Sequence, residues 1–133
     1  MIEDALRATL LADADVAALV AARVWPMKLP QAPTYPAVVY QRISTTNGVA
    51  LETPVGSTRS RVQVSCWALT FGQARQLGEA VVHTLNGWSG VAGGERVQLV
   101  RMLNWLDDYE SGPPERFRML VDFYVYSMEG VAA

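Results

Sequence analysis

The chain has one cysteine and one histidine, and together these side chains could supply a nucleophile and its base. Cys66 alternates with polar neighbours on the apolar side of its segment, which does not suggest the positive, partly open surroundings that activate a thiol. His83 lies in a segment of helical periodicity, and no nucleophile or second ligand is spaced to meet it. We therefore expect Cys66 to be a core residue and His83 to be a partly exposed helix residue.

Asp107, Asp108 and Glu110 could bind a divalent cation, because hard cations prefer carboxylate oxygens. The spacing and the glycine of a calcium loop are missing, so we expect a solvated acidic turn instead. The segment Gly93-Gly94-Glu95-Arg96 lacks both the lysine-serine or lysine-threonine ending of a phosphate-binding loop and the helix that should follow it. This segment therefore predicts a tight turn, and neither pattern indicates a metal or a cofactor.

The remaining candidates for chemistry are the four tryptophans, which are too dispersed to predict a base-stacking platform. No residue pattern places a general base beside a nucleophile. The sequence thus predicts that the protein is not an enzyme and that it has no catalytic, metal-binding or cofactor-binding residues.

Composition points to a single domain that buries apolar surface between subunits. The chain of 133 residues has the usual size of one domain, so we expect a single domain over residues 1–133. Half of the residues are hydrophobic, only 18% are charged, and the mean hydropathy is +0.11. This surplus of apolar residues favours burial between subunits. A net charge of -2 with scattered basic residues argues against tight binding of nucleic acid.

The elements that must position these residues are clearest around Thr70. Before it, Val62, Val64 and Cys66 alternate with polar residues, which predicts a half-buried strand. After it, apolar residues recur at three- and four-residue steps as far as Leu85, which predicts a helix capped by Thr70.

Periodicity elsewhere predicts the other elements. Residues 1–22 should form an N-terminal helical segment, broken near Asp13, and residues 37–44 a strand. Residues 46–58 should project as a loop, and residues 128–133 should form a frayed tail. A further strand should begin near Val97 and end before the acidic, proline-containing segment, followed by the clearest strand pattern of the chain at residues 117–126.

Together these elements predict an α+β fold with the order α-β-β-β-α-β-β. A small antiparallel sheet of about four strands should carry the helices on one face. Tyr124 and Tyr126 should lie on the opposite face, where they are available to solvent or to another subunit.

Four stretches of this sequence resemble the tail completion, or tail terminator, family of long-tailed (siphovirus-like) phages, prophages and phage-like particles such as gene transfer agents. They are Met1-Ile2-Glu3-Asp4-Ala5-Leu6-Arg7; Arg23-Val24-Trp25-Pro26 with Leu29-Pro30; Tyr35 to Ser44; and Arg61-Val62-Gln63-Val64-Ser65-Cys66-Trp67-Ala68. These are patterns of strand and turn residues in a particular order, and the resemblance as a whole covers nearly the whole chain.

The resemblance implies a structural virion protein that forms a ring, expected to be a homohexamer, on the head-proximal end of the tail tube. Such a ring stops polymerisation of the tube and presents a surface for joining the head. Its partners would be itself, the major tail tube protein and the head–tail connector protein. DNA would pass through the lumen without specific binding. No membrane is implied, and the virion tail would be assembled in the host cytoplasm.

Physical reasoning adds two sets of candidate site residues to this resemblance. Apolar residues of the loop are unlikely to be satisfied within their own domain, and the tyrosines lie on the free sheet face. We therefore expect contacts with a neighbouring subunit or the tube from Val49, Leu51, Val55, Tyr124 and Tyr126. Acidic residues facing the lumen would repel DNA phosphates, and the candidates are Asp107, Asp108 and Glu110.

One alternative from another class is a small oligomeric ligand-binding or regulatory domain of ferredoxin-like type, with a metabolite at a subunit interface. An enzyme is a more distant alternative, because only His83 or the carboxylates could serve as its base.

Overall fold

The computed structural model describes residues 1–47 and 58–127, and its N-terminal segment is helical as predicted. Helix α1 covers Ile2–Ala12 and helix α2 covers Ala14–Val20. The break lies at Asp13, whose carboxylate accepts a hydrogen bond from the Val16 N–H at 3.0 Å and so caps α2.

The rest of the described chain forms one sheet and one long helix. In chain order these are β1 (Val24–Pro26), β2 (Ala37–Asn47), β3 (Thr58–Ala68), α3 (Phe71–Leu85), β4 (Gly90–Ala92), β5 (Glu95–Glu110) and β6 (Arg116–Ser127). The strands are ordered β1-β2-β3-β6-β5-β4 across the sheet. All neighbouring pairs are antiparallel except β1 and β2, which are parallel.

The predicted corner between β3 and α3 is confirmed. Thr70 has an extended backbone, and its hydroxyl accepts a hydrogen bond from the Gln73 N–H at 3.2 Å. Because the first turn of a helix leaves its N–H groups without partners, this contact fixes the start of α3 where the alternating pattern ends.

The three helices pack on one side of the sheet, which we call the helix-covered face. Its fully or almost fully buried strand residues are Val62, Val64, Cys66, Met119, Val121, Phe123 and Val125. The opposite side, which we call the far face, carries the alternate residues of the same strands, including Arg61 and Gln63 of β3. Both donate to the carboxylate of Asp122 on β6, at 2.6 and 3.2 Å, so this buried charge is paired.

Three predictions about the fold need correction. The sheet has six strands rather than about four, because β1 and β4 have three residues each and are too short to show an alternating pattern. Its β1–β2 pair is parallel rather than antiparallel. Thr46, Asn47 and Thr58 belong to strands rather than to the predicted loop, which agrees with the preference of β-branched threonine for strands. The rest of that loop and the predicted frayed tail lie outside the described residues.

The element order also separates this fold from the alternative raised by the sequence. The chain has the order α-α-β-β-β-α-β-β-β, whereas a ferredoxin-like domain has the order β-α-β-β-α-β. The ferredoxin-like prediction is therefore wrong as a description of the fold. Over residues 1–47 and 58–127, no helix is both long and apolar enough to cross a membrane.

Truncation of a core residue provides a test of this fold. Phe123 is 0% exposed at the centre of the helix-covered face, so Phe123→Ala should lower the free energy of unfolding by about 3–5 kcal/mol. The control Leu106→Ala removes a side chain that is 60% exposed and should change it by less than about 1 kcal/mol. Urea unfolding measures both values, and equal losses would contradict the assignment of the core.

Candidate functional site

The structure does not bring the cysteine and the histidine together. Cys66 is fully buried on the helix-covered face, where loss of hydration raises the pKa of its thiol to about 12. His83 is exposed on α3, at the rim of a groove of about 330 Å³. Both residues therefore lie where the sequence predicts, and the thiol has neither a base nor access to solvent.

The predicted acidic turn is wrong. Asp107, Asp108 and Glu110 all lie in β5, which continues through the segment expected to end it. They pair in register with Met119, Arg118 and Arg116 of β6, so Asp107 is on the helix-covered face and the other two are on the far face. Within the described part of the chain, no group of three or more His, Cys, Asp or Glu side chains could hold a metal ion.

The Gly93-Gly94 segment forms the predicted tight turn, between β4 and β5. Gly93 has a φ of 58°, and a Cβ atom added there would lie 2.6 Å from the main-chain oxygen of Asp4. Glycine is therefore required by the approach of α1. A strand rather than a helix follows, which excludes the phosphate-loop arrangement.

What the fold does expose is an arm formed by residues Leu103–Phe117, which contains the outer half of β5, the connection to β6 and the first residues of β6. We call it the hairpin arm. Strand β5 has 16 residues, whereas its outer neighbour β4 has three and pairs only with Glu95–Val97.

Two further contacts extend the cover on β5 a short distance beyond β4. The Val100 N–H donates to the Trp88 carbonyl at 2.9 Å, and the Met102 N–H donates to Asn86 Oδ1 at 2.9 Å. Beyond Met102, the described chain places no strand along the outer edge of β5. Apart from the Tyr109 N–H, which donates to Asp108 Oδ1 at 2.8 Å, the outward main-chain groups on this edge are therefore available to pair with another strand.

Large apolar side chains project from both faces of this free edge. Leu103 is 40% exposed, Trp105 46%, Leu106 60% and Tyr109 52%. Isolated exposed apolar residues are ordinary, but a contiguous group on an unpaired strand is typical of a protein–protein contact.

The acidic residues of the arm are held by arginines of neighbouring elements. Arg118 pairs with Asp108, and Arg116 pairs with Glu110 at 3.2 Å. The hydrogen bond from Arg118, followed by one from the Tyr109 N–H, lowers the pKa of Asp108. On the other face, Arg75 of α3 lies 3.7 Å from Asp107. Because every one of these carboxylates has a cationic partner, the arm is not a free acidic surface.

Aromatic contacts also support the arm. The guanidinium groups of Arg118 and Arg116 lie 4.6 and 5.4 Å from the ring centre of Trp67. On the helix-covered face, the Phe117 ring lies 5.2 Å from Tyr109 and 6.4 Å from Phe71. These contacts hold the strands of the arm together and leave its outer edge unoccupied within the described chain.

Groove and arm meet at Trp105. The groove of about 330 Å³ beside α3 is lined by Arg75, Glu79, Val82, His83, Asn86, Trp105 and Met119. Arg75 lies 5.5 Å from the centre of the Trp105 ring, so cationic and apolar surfaces alternate here. The lining of the groove therefore combines apolar side chains with charged ones.

Of the predicted interface residues, Tyr124 and Tyr126 are half-buried on the far face, as the sequence analysis expects of their face. Their ring centres are 6.3 Å apart, and Arg59 lies 4.3 Å from the centre of the Tyr124 ring. The other predicted contacts, Val49, Leu51 and Val55, lie outside the described residues.

The sequence analysis missed the hairpin arm, although a signal was present. Leu103, Trp105, Leu106 and Tyr109 continue the apolar and aromatic content of β5 between its acidic residues. The acidic residues were interpreted as a break, whereas each of them has an arginine beside it in the fold.

Comparisons with known proteins agree with this architecture. The family described as tail completion protein gp17 matches residues 4–126. Among solved structures, a chain from the virion of a native gene transfer agent particle is similar in fold, with a TM-score of 0.73 at 20% sequence identity. The similarity covers 95% of this chain and 93% of that one. No curated protein matches the sequence.

Burial of the cysteine provides a second test. Because burial raises the pKa of the Cys66 thiol from 9.0 to about 12, the thiolate fraction at pH 8 should be about a thousandfold lower in the native chain than in the unfolded one. Alkylation by iodoacetamide, followed by mass spectrometry with and without denaturant, should show a suppression at least that large. Rapid labelling of the native chain would contradict a core position.

Proposed function

The chain belongs to the tail completion protein gp17 family, and from this premise we propose that it closes the head-proximal end of a phage-type tail tube. The family gives the protein a structural role in the tail of a phage or phage-like particle. The proposed finer role has two parts: stopping polymerisation of the tube, and forming the surface that joins the tail to the head connector.

The observation that best supports this role is the hairpin arm. A monomeric domain gains nothing from an unpaired strand edge with Leu103, Trp105, Leu106 and Tyr109 exposed, and such an edge is prone to aggregation. A subunit that must bind its neighbours or the tube has a use for it. The charge pattern is compatible with that use, because the carboxylates of the arm already have cationic partners.

We propose that the working form is a homohexameric ring. Its partners are the major tail tube protein on one side and the head–tail connector protein on the other, and DNA passes through the lumen without specific binding. Tyr124 and Tyr126 are proposed to contribute to subunit or tube contacts from the far face, and Val49, Leu51 and Val55 from the loop.

Fewer acidic residues can face the lumen together than the sequence suggests. Asp108 and Glu110 lie on the far face and could line a channel, whereas Asp107 is on the helix-covered face. Arg118 and Arg116 offset the charge of the first two. We therefore propose that an arm facing the lumen would carry a weak net charge and would not repel DNA strongly.

Assembly of tail tubes with and without the protein tests the proposed function. The wild-type chain should cap one end of each tube and shorten the length distribution in negative-stain images. Leu106→Asp should reduce the fraction of capped tubes at least about tenfold, because it places a charge in the apolar contact.

Asp15→Asn provides the control, since Asp15 is an exposed residue of α2 and should leave capping unchanged. Tubes that grow to the same length and keep bare ends in the presence of the wild-type chain would rule out the proposed role.

A deletion tests the role of the loop separately. Removal of residues 49–54 should leave a folded chain, because none of the described core residues lies in that segment. The shortened chain should no longer form rings, since it lacks Val49 and Leu51. Intact rings by native mass spectrometry would eliminate the loop as a required contact.

A further inference from the structure

The sheet has two free edges, which lie at diagonally opposite corners. The first, which we call the β5 edge, is Leu103–Glu110. The second, which we call the β2 edge, is Ile43–Asn47, because β1 ends where Pro26 pairs with Tyr40 and the last contact is the Met27 N–H to the Tyr40 carbonyl at 2.9 Å. No described strand covers either segment on its outer side.

The direction of the free main-chain groups on the β5 edge follows from the register. Val100 and Met102 donate away from β6, and both side chains are on the helix-covered face. Side-chain face and N–H direction alternate together along a strand. After the irregularity between Met102 and Asn104, the helix-covered face is occupied by Trp105, Asp107 and Tyr109, so these three direct their N–H and C=O groups outward. The Tyr109 N–H donates to Asp108 Oδ1 at 2.8 Å, which leaves the N–H groups of Trp105 and Asp107 for a new strand.

The same reasoning applies to the β2 edge. The Val38 N–H donates to the Arg23 carbonyl on the outer side, and Val38 is on the helix-covered face. After the irregularity between Arg42 and Ser44, Thr45 pairs with Ser60 on that face. Thr45 therefore directs its main-chain N–H and C=O groups outward.

We propose that the β5 edge of one copy pairs with the β2 edge of the next copy, so that the sheets of neighbouring subunits form one continuous antiparallel sheet. This inference rests on the proposed ring and names the contact that would build it. The apolar side chains of the β5 edge would then lie against Ile43, which is 45% exposed, and the β-branched Thr45 and Thr46.

The directions of the strands are compatible with a second copy of the chain at the β5 edge. Each step from β2 to β3, β6 and β5 is antiparallel, so β2 and β5 run in opposite directions within one copy. Copies related by rotation about a ring axis keep their orientation, and β5 therefore meets the next β2 in the antiparallel sense. The contact uses two different surfaces, which is what a closed ring of more than two copies requires.

Charge argues against the alternative of two β5 edges pairing with each other. That arrangement would bring Asp107, Asp108 and Glu110 of the two copies together, and like charges on paired strands are destabilising. The arginines that pair with these carboxylates weaken this repulsion, so the argument from charge is secondary to the argument from strand direction. The surroundings of the β2 edge include a positive charge instead. Arg59 on the neighbouring strand β3 is exposed and makes no ion pair among the described residues. It would approach the acidic edge instead of another arginine.

The offset of the two edges gives a geometric check. We place Thr45 of one copy opposite Asp107 of the next, which is the register that the tests below use. The row through Thr45 reaches Val125 on β6, whereas Asp107 pairs with Met119, so in this register neighbouring copies are displaced by about six positions, or about 20 Å along the strands. One copy adds four strands, which span about 19 Å across the sheet. The ratio of the displacement along the strands to the width across the sheet corresponds to a strand tilt of about 45°, at the upper end of the range for closed barrels.

Proline substitution provides the main test, because it removes an outward N–H without removing a main-chain hydrogen bond inside the subunit. It also removes the side-chain contacts of Thr45 with Arg42 and Ser60 and of Asp107 with Arg75, which the alanine variants below control for. Asp107→Pro and Thr45→Pro should each raise the concentration for half-assembly at least about tenfold. Asp107→Ala and Thr45→Ala remove the same side chains but keep the N–H groups, so each should raise that concentration much less, by about threefold or under. Native mass spectrometry of each chain, alone and with tail tubes, measures the oligomers.

Mixing the two proline variants isolates the pairing of unlike edges. Asp107→Pro keeps an intact β2 edge and Thr45→Pro keeps an intact β5 edge, so the mixture should form 1:1 dimers and nothing larger. Assembly of Asp107→Pro at wild-type concentrations, or a mixture that stays monomeric although both variants are folded by circular dichroism, would overturn the proposal.

Disulfide cross-linking tests the contact if a proline variant does not fold. Under oxidation in the presence of tail tubes, Thr45→Cys/Asp107→Cys should form a covalent ladder, whereas each single variant should form less than a tenth as much dimer. No ladder, or strong dimerisation of Asp107→Cys alone, overturns the pairing.

The failure of the pairing and the failure of the proposed function are distinguishable. If the wild-type chain caps tubes but the mixed dimers and the ladder do not form, only the pairing is wrong. If the dimers and the ladder form but the tubes remain bare, only the proposed function is wrong.

Discussion

The structure is organised around a mismatch in length between neighbouring strands. Strand β5 has 16 residues, and its outer neighbour β4 has three. A backbone N–H or C=O group without a partner needs water or another chain, so the uncovered half of β5 must either stay exposed or be paired. The exposed side chains of Leu103, Trp105 and Leu106 make prolonged exposure unfavourable. Because no described strand covers this edge, the combination supports our proposal that the domain works as a subunit with partners.

The two faces of the sheet differ in their role: one provides the stable core and the other provides a polar surface. The helix-covered face is apolar and provides the core, which includes Phe123 and Val64. The far face is polar and is ordered by paired charges, such as Arg61 with Asp122, and by arginines stacked on Trp67. Such pairs fix the positions of side chains more than they add stability when they are partly exposed. An ordered, polar face combined with an apolar edge suits the proposed ring subunit, because the edge would bind the neighbouring copy and the face can remain in contact with water.

Much of the fold could be predicted where the hydrophobic period was unambiguous. At Thr70 the hydrophobic pattern changes from the period of a strand to that of a helix, and Thr70 also caps α3. Helix α1 follows the helical period, and the strand around Phe123 follows the period of two residues. The short strands β1 and β4 could not be found, because three residues define no period. Family resemblance, confirmed by a match over residues 4–126, added the functional class that periodicity alone does not give.

The hairpin arm shows why the candidate site was harder to predict. Asp107 and Asp108 are poor strand residues by composition, and a run of acidic residues before Pro113 favours a turn. In the fold, Arg75 and Arg118, which are distant in the sequence, compensate these carboxylates on opposite faces of one strand. Such compensation is a tertiary property, because it depends on which strand lies beside β5.

The most direct measurement of the central claim is a cryo-electron microscopy reconstruction of the head–tail junction of the particle that contains this chain. The account predicts one layer of six copies at the end of the tail tube, with helices outside, the far face toward the channel and a continuous sheet between neighbours. A junction without this chain, or copies separated by gaps at β2 and β5, would contradict it.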